Sequence, residues 1–134
     1  MDIHESVHRI LQNKECFADL FYIVFLQDAE IQRHFSKVNI RQQAVLLTMA
    51  LLVTERHYAY SYPATEMYLN YLGTKHHSRG IPPESYPKFR DTLLAALERF
   101  HGKDWHPHLA TQWQEAIDHA TASMLKGYEQ QYHV

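Results

Sequence analysis

The chain has 134 residues but a single cysteine, Cys16, and only four glycines. One thiol excludes an intramolecular disulfide and any zinc site made of several cysteines. A reducing, cytoplasmic setting is the expectation that follows. No apolar run reaches the roughly 20 residues that cross a bilayer, so no membrane partner is expected. The opening Met1-Asp2-Ile3-His4-Glu5 does not read as a secretory leader. Neither sign of charge dominates: 13 Lys and Arg face 15 Asp and Glu, a net of -2. That balance argues against a nucleic-acid partner, which needs a basic stripe. Alternating strand patterns are nearly absent, as are repeats, low-complexity tracts and linkers. Residues 1–134 therefore read as one all-α domain.

What is present is a soluble, globular balance of 46% hydrophobic and 21% charged residues. A chain of this size buries roughly two thirds of the surface its unfolded form exposes. Eleven histidines make the net charge sensitive to pH near neutrality and supply candidate metal ligands.

Helical periodicity runs through the whole chain. A first helix is expected over residues 2–12, with Ile3, Val7, Ile10 and Leu11 on one face. A second, over 15–27, puts Phe17, Leu20, Phe21, Val24 and Phe25 on a buried face, and a short turn follows at 30–34. Residues 39–57 form a long helix whose centre, Val45 to Val53, is apolar almost all round. Such a helix is expected to be sandwiched, between other helices or between helices and an apolar ligand. The aromatic-rich stretch 56–63 reads as a loop, followed by a helix from Ala64 or Thr65 to His77 that Gly80 breaks. Pro82 and Pro83 open the next helix; Tyr86, Phe89, Leu93, Leu94, Leu97 and Phe100 share its apolar face, and Gly102 ends it. The last helix begins within 104–107 and carries Leu109, Trp113, Ala116, Ile117, Ala120, Met124 and Tyr128 as its stripe. Six or seven helices of unequal length around one doubly buried helix suit steep crossings about a pocket better than a four-helix bundle.

The most informative segment runs from Leu72 to Ile81. A helix puts Leu72 and His76 on one face, one turn apart, and stops at Gly80, four residues on. Ten residues after His76 comes Tyr86, in the first turn of the next helix. An imidazole near a helix end, with an apolar neighbour one turn back, is a good way to aim a nitrogen at a flat metal cofactor.

This pattern resembles the globin family, most closely the bacterial single-domain haemoglobins and the globin domain of flavohaemoglobins. In those proteins a leucine, three residues, the haem-ligating histidine and a glycine four further on recur, as does a tyrosine ten residues after the ligand. Leu72, His76, Gly80 and Tyr86 match. The resemblance implies a three-over-three helical sandwich around haem b (iron protoporphyrin IX), with His76 as the proximal ligand to iron. It implies haem contacts from Phe35, Leu47, Leu72, Ile81 and Tyr86, and makes Arg79 and Lys75 candidate partners for the propionates. On the distal side it implies Gln43 as the polar residue, with Gln42 in its place if the register slips by one. Either Phe21 or Tyr22 fits the distal position on the second helix. Trp113 and the Met124 to Tyr128 stretch resemble the last helix of these proteins, so the likeness spans roughly residues 3–129. One position departs. Flavohaemoglobins carry a glutamate on the last helix that hydrogen-bonds the proximal histidine; here the count falls near Tyr128, with Glu129 one residue out.

The function implied is reversible binding of dioxygen, carbon monoxide or nitric oxide, for oxygen binding, scavenging or sensing, by a monomer or homodimer. Nitric oxide dioxygenation with a separate reductase is one alternative, since the chain shows no flavin or nicotinamide domain. A haem-free, globin-like signalling or interaction module is another. His77 lies about 100° round the helix from His76 and reads as facing solvent or the haem edge. The remaining histidines His4, His8, His57, His101, His106, His108, His119 and His133 read as surface residues, and Cys16 as a small buried hydrophobe.

Overall fold

The computed structural model describes residues 1–37 and 39–131 of the chain. Among them are seven α-helices and no strand: α1 (Ile3–Gln12), α2 (Lys14–Phe25), α3 (Ala29–His34), α4 (Ile40–Tyr60), α5 (Pro63–Ser78), α6 (Ser85–His101) and α7 (Pro107–Gln131). A single 3-10 turn, Gly102–Asp104, joins the last two. His133 lies outside the described residues. The helices form the three-over-three sandwich: α1, α4 and α5 make one layer and α2, α6 and α7 the other, with α5 crossing α7 most intimately.

Local chemistry explains the helix starts. The carboxylate of Asp2 accepts from the Glu5 amide, that of Asp28 from the Glu30 and Ile31 amides, and the Asn39 side chain from the Arg41 and Gln42 amides. Each satisfies donors that the first helical turn leaves open. Gly80 and Gly102 both sit at positive φ, 75° and 57°, where a glycine ends a helix without strain.

Two boundaries differ from the sequence expectation. The stretch 56–63 is not a loop: α4 continues to Tyr60, held to α7 by a 2.7 Å bond from the Tyr58 hydroxyl to Glu115. Only Ser61 and Tyr62 intervene, because Pro63 keeps Tyr62 extended (ψ 145°) and then opens α5 itself. Conversely, α6 starts at Ser85, not at the prolines. Pro83 bars Pro82 from helical angles, and the pair makes a turn whose carbonyls accept from the Ser85 and Tyr86 amides.

The periodic stripes form the core. Phe17, Leu97, Leu109 and Trp113 are wholly buried among α2, α6 and α7, each contributing about 1.5–3 kcal/mol. A second cluster joins Leu69, Tyr86, Ala120, Met124 and Tyr128. Cys16 is exposed, contrary to expectation; it stands about 100° round α2 from buried Phe17. Val24 also turns outward. Nor is α4 buried all round: Val45, Leu46 and Met49 remain 49%, 50% and 48% exposed.

The crossing of α5 and α7 needs two glycines that no turn explains. A Cβ on Gly73 would overlap the Met124 carbonyl, and one on Gly127 the Asn70 carbonyl. The bare backbones approach closely enough for Asn70 Nδ2 to donate to the Ser123 carbonyl at 2.6 Å and Thr74 Oγ1 to the Gly127 carbonyl at 3.2 Å.

His57 and His101, expected at the surface, are buried at 3% and 4% exposure. His57 lies where α4, α5 and α7 meet, 2.9 Å from Thr65 Oγ1 and 3.3 Å from Glu66. His101 shares a network in which Trp113 Nε1 donates to Ser6 Oγ at 2.9 Å and Ser6 Oγ contacts His101 Nε2 at 2.6 Å. Among the described residues, its Nδ1 has no hydrogen-bond partner. Burial, with nearby Arg9, pushes the His101 imidazole down to about 4, against an opposing pull from Asp104.

Two outcomes follow from these contacts. Gly73→Ala or Gly127→Ala should each cost about 3 kcal/mol or more, since backbone atoms must part, as read from urea denaturation. Depressed folded-state affinity for a proton means that the unfolded chain protonates His101 first as pH falls. Stability should therefore decline between pH 6.5 and about 4, by up to roughly 3 kcal/mol from this group. His101→Gln should flatten that slope.

Candidate functional site

A cavity of about 460 Å³ opens between the two core clusters. Its volume is that of a small-molecule or cofactor pocket. Leu69, Leu72 and His76 of α5 form one wall, continued by Ile81 and by Tyr86, Phe89 and Leu93 of α6. The facing wall is α4, through Gln43, Leu46, Leu47, Met49 and Ala50. This accounts for part of the exposed face of α4: Leu46 and Met49 face the hollow. Phe21, Tyr22, Phe25 and Phe35 close one end, and Ile117, Ala120 and Met124 of α7 line the depth.

All ten site residues expected from the sequence lie on these walls: His76, Phe35, Leu72, Ile81, Tyr86, Leu47, Arg79, Gln43, Tyr22 and Phe21. Gln43 lines the cavity, whereas Gln42 is exposed outside it. Phe21 and Tyr22 both line it. Phe21 stacks on Phe25 at 4.9 Å between centroids, and the Tyr22 hydroxyl donates to the Gln43 carbonyl at 3.3 Å. Phe35 meets Tyr22 and Phe25 edge-on, at 5.9 and 6.1 Å. His77 is not on the walls; its ring lies edge-on to Tyr128 at 5.1 Å.

Two properties decide what the hollow can hold. The first is its charge. The walls are largely apolar, and among the described residues their ionisable side chains of full charge are cations, Lys75 and Arg79 at the mouth with His34 nearby, and no carboxylate lines it. Such a site suits a flat apolar molecule with anionic substituents at one edge. The second is His76. Its Nδ1 lies 2.9 Å from the Tyr86 hydroxyl. Burial, reinforced by Arg79, pushes its imidazole down to about 4, so the ring is neutral near pH 7 and one nitrogen keeps a lone pair. Burial likewise raises the Tyr22 and Tyr86 phenols well above their ordinary value, so both stay protonated donors.

Reasoning from sequence missed several wall residues. Leu69 was legible, since it precedes His76 by seven residues and shares its helix face. Met124 and Ala120 were read only as a core stripe. Tyr128 is buried, and its hydroxyl donates to the Ile81 carbonyl at 2.6 Å; Glu129 is exposed. Near the position at which the resemblance implies a carboxylate, the buried side chain is the Tyr128 phenol.

No curated protein matches the chain. The family model described as Globin matches residues 18–124, from the second helix to the depth of the cavity. The chain belongs to the globin family.

Proposed function

We propose that the cavity holds haem b, with His76 as its axial ligand, and that the protein reversibly binds a diatomic gas. Globins typically bind haem. The observation that carries the reading for this chain is the joint chemistry of one hollow: a neutral imidazole, apolar facing walls, and a mouth whose full charges are, among the described residues, positive. When bound, the haem, held through His76, would supply an iron able to coordinate a diatomic gas.

The chain's own residues do the rest. His76 offers a nitrogen lone pair. Phe35, Leu47 and Leu72 exclude water, and Arg79 with Lys75 faces the propionate edge. Gln43 acts as the distal donor: no hydrogen bond to its side-chain amide is formed among the described residues, whereas the Tyr22 hydroxyl is turned to the Gln43 backbone. Tyr22 then holds the start of α4 in place rather than the gas. The order Leu72, His76, Gly80, Tyr86 supports a relationship to the bacterial single-domain haemoglobins, with residues 1–134 as one globin domain. The buried phenol of Tyr128, in place of a carboxylate, favours gas binding over chemistry that needs a strongly basic proximal histidine.

Haemin titration tests the reading. The folded chain should take up one haem with a Soret band that shifts under dithionite and carbon monoxide, and its Tm should rise on loading. His76→Ala should weaken or alter that spectrum. A folded wild type that takes up no haem would overturn the assignment and favour a haem-free interaction module. Gln43→Leu should speed dioxygen release by roughly 10–100-fold in stopped-flow, the worth of one hydrogen bond to a charged acceptor.

A further inference from the structure

The net charge of -2 conceals a division along the chain. Residues 31–54 and 67–83, which supply the α4 and α5 walls of the cavity, contain five Lys and Arg and no Asp or Glu. All 15 Asp and Glu and the other eight basic residues lie elsewhere. The same two stretches hold six of the ten large apolar side chains exposed among the described residues: Ile40, Val45, Leu46, Met49, Met67 and Tyr71.

Helix geometry sorts these residues into two stripes. On α4, Arg41, Val45 and Met49 follow at intervals of four and share a face. On α5, Met67, Tyr71 and Lys75 do the same, with Arg79 at the helix end. All seven are exposed. Neighbours along a stripe meet: Lys75 Nζ lies 5.4 Å from the centre of the Tyr71 ring. Met49, Tyr71, Lys75 and Arg79 also line the cavity, so the stripes run along two lips of its mouth. Only Ser61 and Tyr62 separate the two helices. Arg41, Lys75 and Arg79 therefore fall toward the open end of the hairpin, and Met49 and Met67 nearer its joint. None of the three cations forms an ion pair among the described residues.

Cations alone would suit an acidic protein or a nucleic acid, and apolar side chains alone a second protein surface. Here the two are interleaved on each helix. That is the order of a surface lying in a bilayer interface, with apolar side chains below the headgroups and long cationic ones reaching the phosphates. Two ridges beside an open hollow offer a rigid partner little to match, whereas acyl chains conform to them. We propose that the mouth face docks on anionic lipid bilayers, the α4 and α5 stripes straddling the entrance to the cavity. No described helix is long and apolar enough to cross a bilayer; this pair lies on one. The entrance then opens onto the phase in which flat apolar anions accumulate, so such an occupant passes from lipid to protein without crossing water. The docking itself needs no occupant and stands apart from the haem reading.

Flotation of the full chain with lipid vesicles tests the proposal. A protein of net charge -2 is repelled on average by an anionic surface, so any binding there is the work of a local face. The wild type should float with vesicles of phosphatidylglycerol and phosphatidylcholine at about 0.1 M salt. On phosphatidylcholine alone its affinity should be roughly 100-fold lower. Arg41→Glu should weaken binding to the anionic vesicles roughly 10-fold or more. Val45→Gln combined with Met67→Gln should do the same by removing the inserted groups. None of these three side chains lines the cavity, so Tm and haemin uptake should stay those of the wild type. Ile23→Gln, an exposed apolar residue of α2 outside both stripes, should leave flotation unchanged. A wild type that does not float overturns the proposal, as does a loss in Ile23→Gln equal to that in the stripe variants. Flotation that Arg41→Glu abolishes but the paired glutamines leave intact also overturns it, and makes the face a dock for an acidic protein.

Discussion

Everything in this fold is arranged around a hollow that the chain cannot fill with its own side chains. At about 24 cal/mol per Å³, a sealed and empty cavity of 460 Å³ would cost about 11 kcal/mol. That is comparable to the whole stability of a domain this size. The cavity opens to solvent, which lowers the figure, but the scale explains the architecture. The apolar core is divided into two clusters on either side of the hollow. Leu46 and Met49 of α4 stay half exposed where they face it. A chain built this way gains more from an occupant than from any rearrangement of its own core.

The walls are held by unequal means. The α5 wall is fixed by backbone: Gly73 and Gly127 let α5 and α7 touch, Gly80 turns the chain, and His76 is tied twice to Ile81 and its neighbours. The α4 wall is fixed by side chains: Asn39 caps the helix, the Tyr22 hydroxyl holds the Gln43 carbonyl at 3.3 Å, and Tyr58 ties its far end to Glu115 of α7 at 2.7 Å.

Most of the fold was legible because its signals are periodic. The α7 stripe from Leu109 to Tyr128 is buried throughout, and so are Ile3, Val7 and Ile10 of α1. At the candidate site one spacing carried into space: the interval of ten from His76 to Tyr86 became a 2.9 Å contact. What failed had no local signal. Cys16 has the composition of a core residue but lies on the wrong side of α2. His57 and His101 are polar, and only distant partners (Thr65 and Glu66, Ser6 and Trp113) reveal that their burial is compensated. Aromatic richness at 56–63 was mistaken for a loop because the real terminator, the steric demand of Pro63 on Tyr62, acts on a single residue. Gly73 and Gly127 look like helix defects until α5 and α7 are seen together.

That glycine pair has a consequence for how the sequence can vary. In most crowded contacts a larger residue on one helix is tolerated once its neighbour becomes smaller. Here the obstructing atoms are carbonyls of the main chain at Met124 and Asn70. No change of residue identity removes them. A side chain gained at either position therefore has no second-site suppressor across the crossing, and the two glycines form a locked step in the sequence.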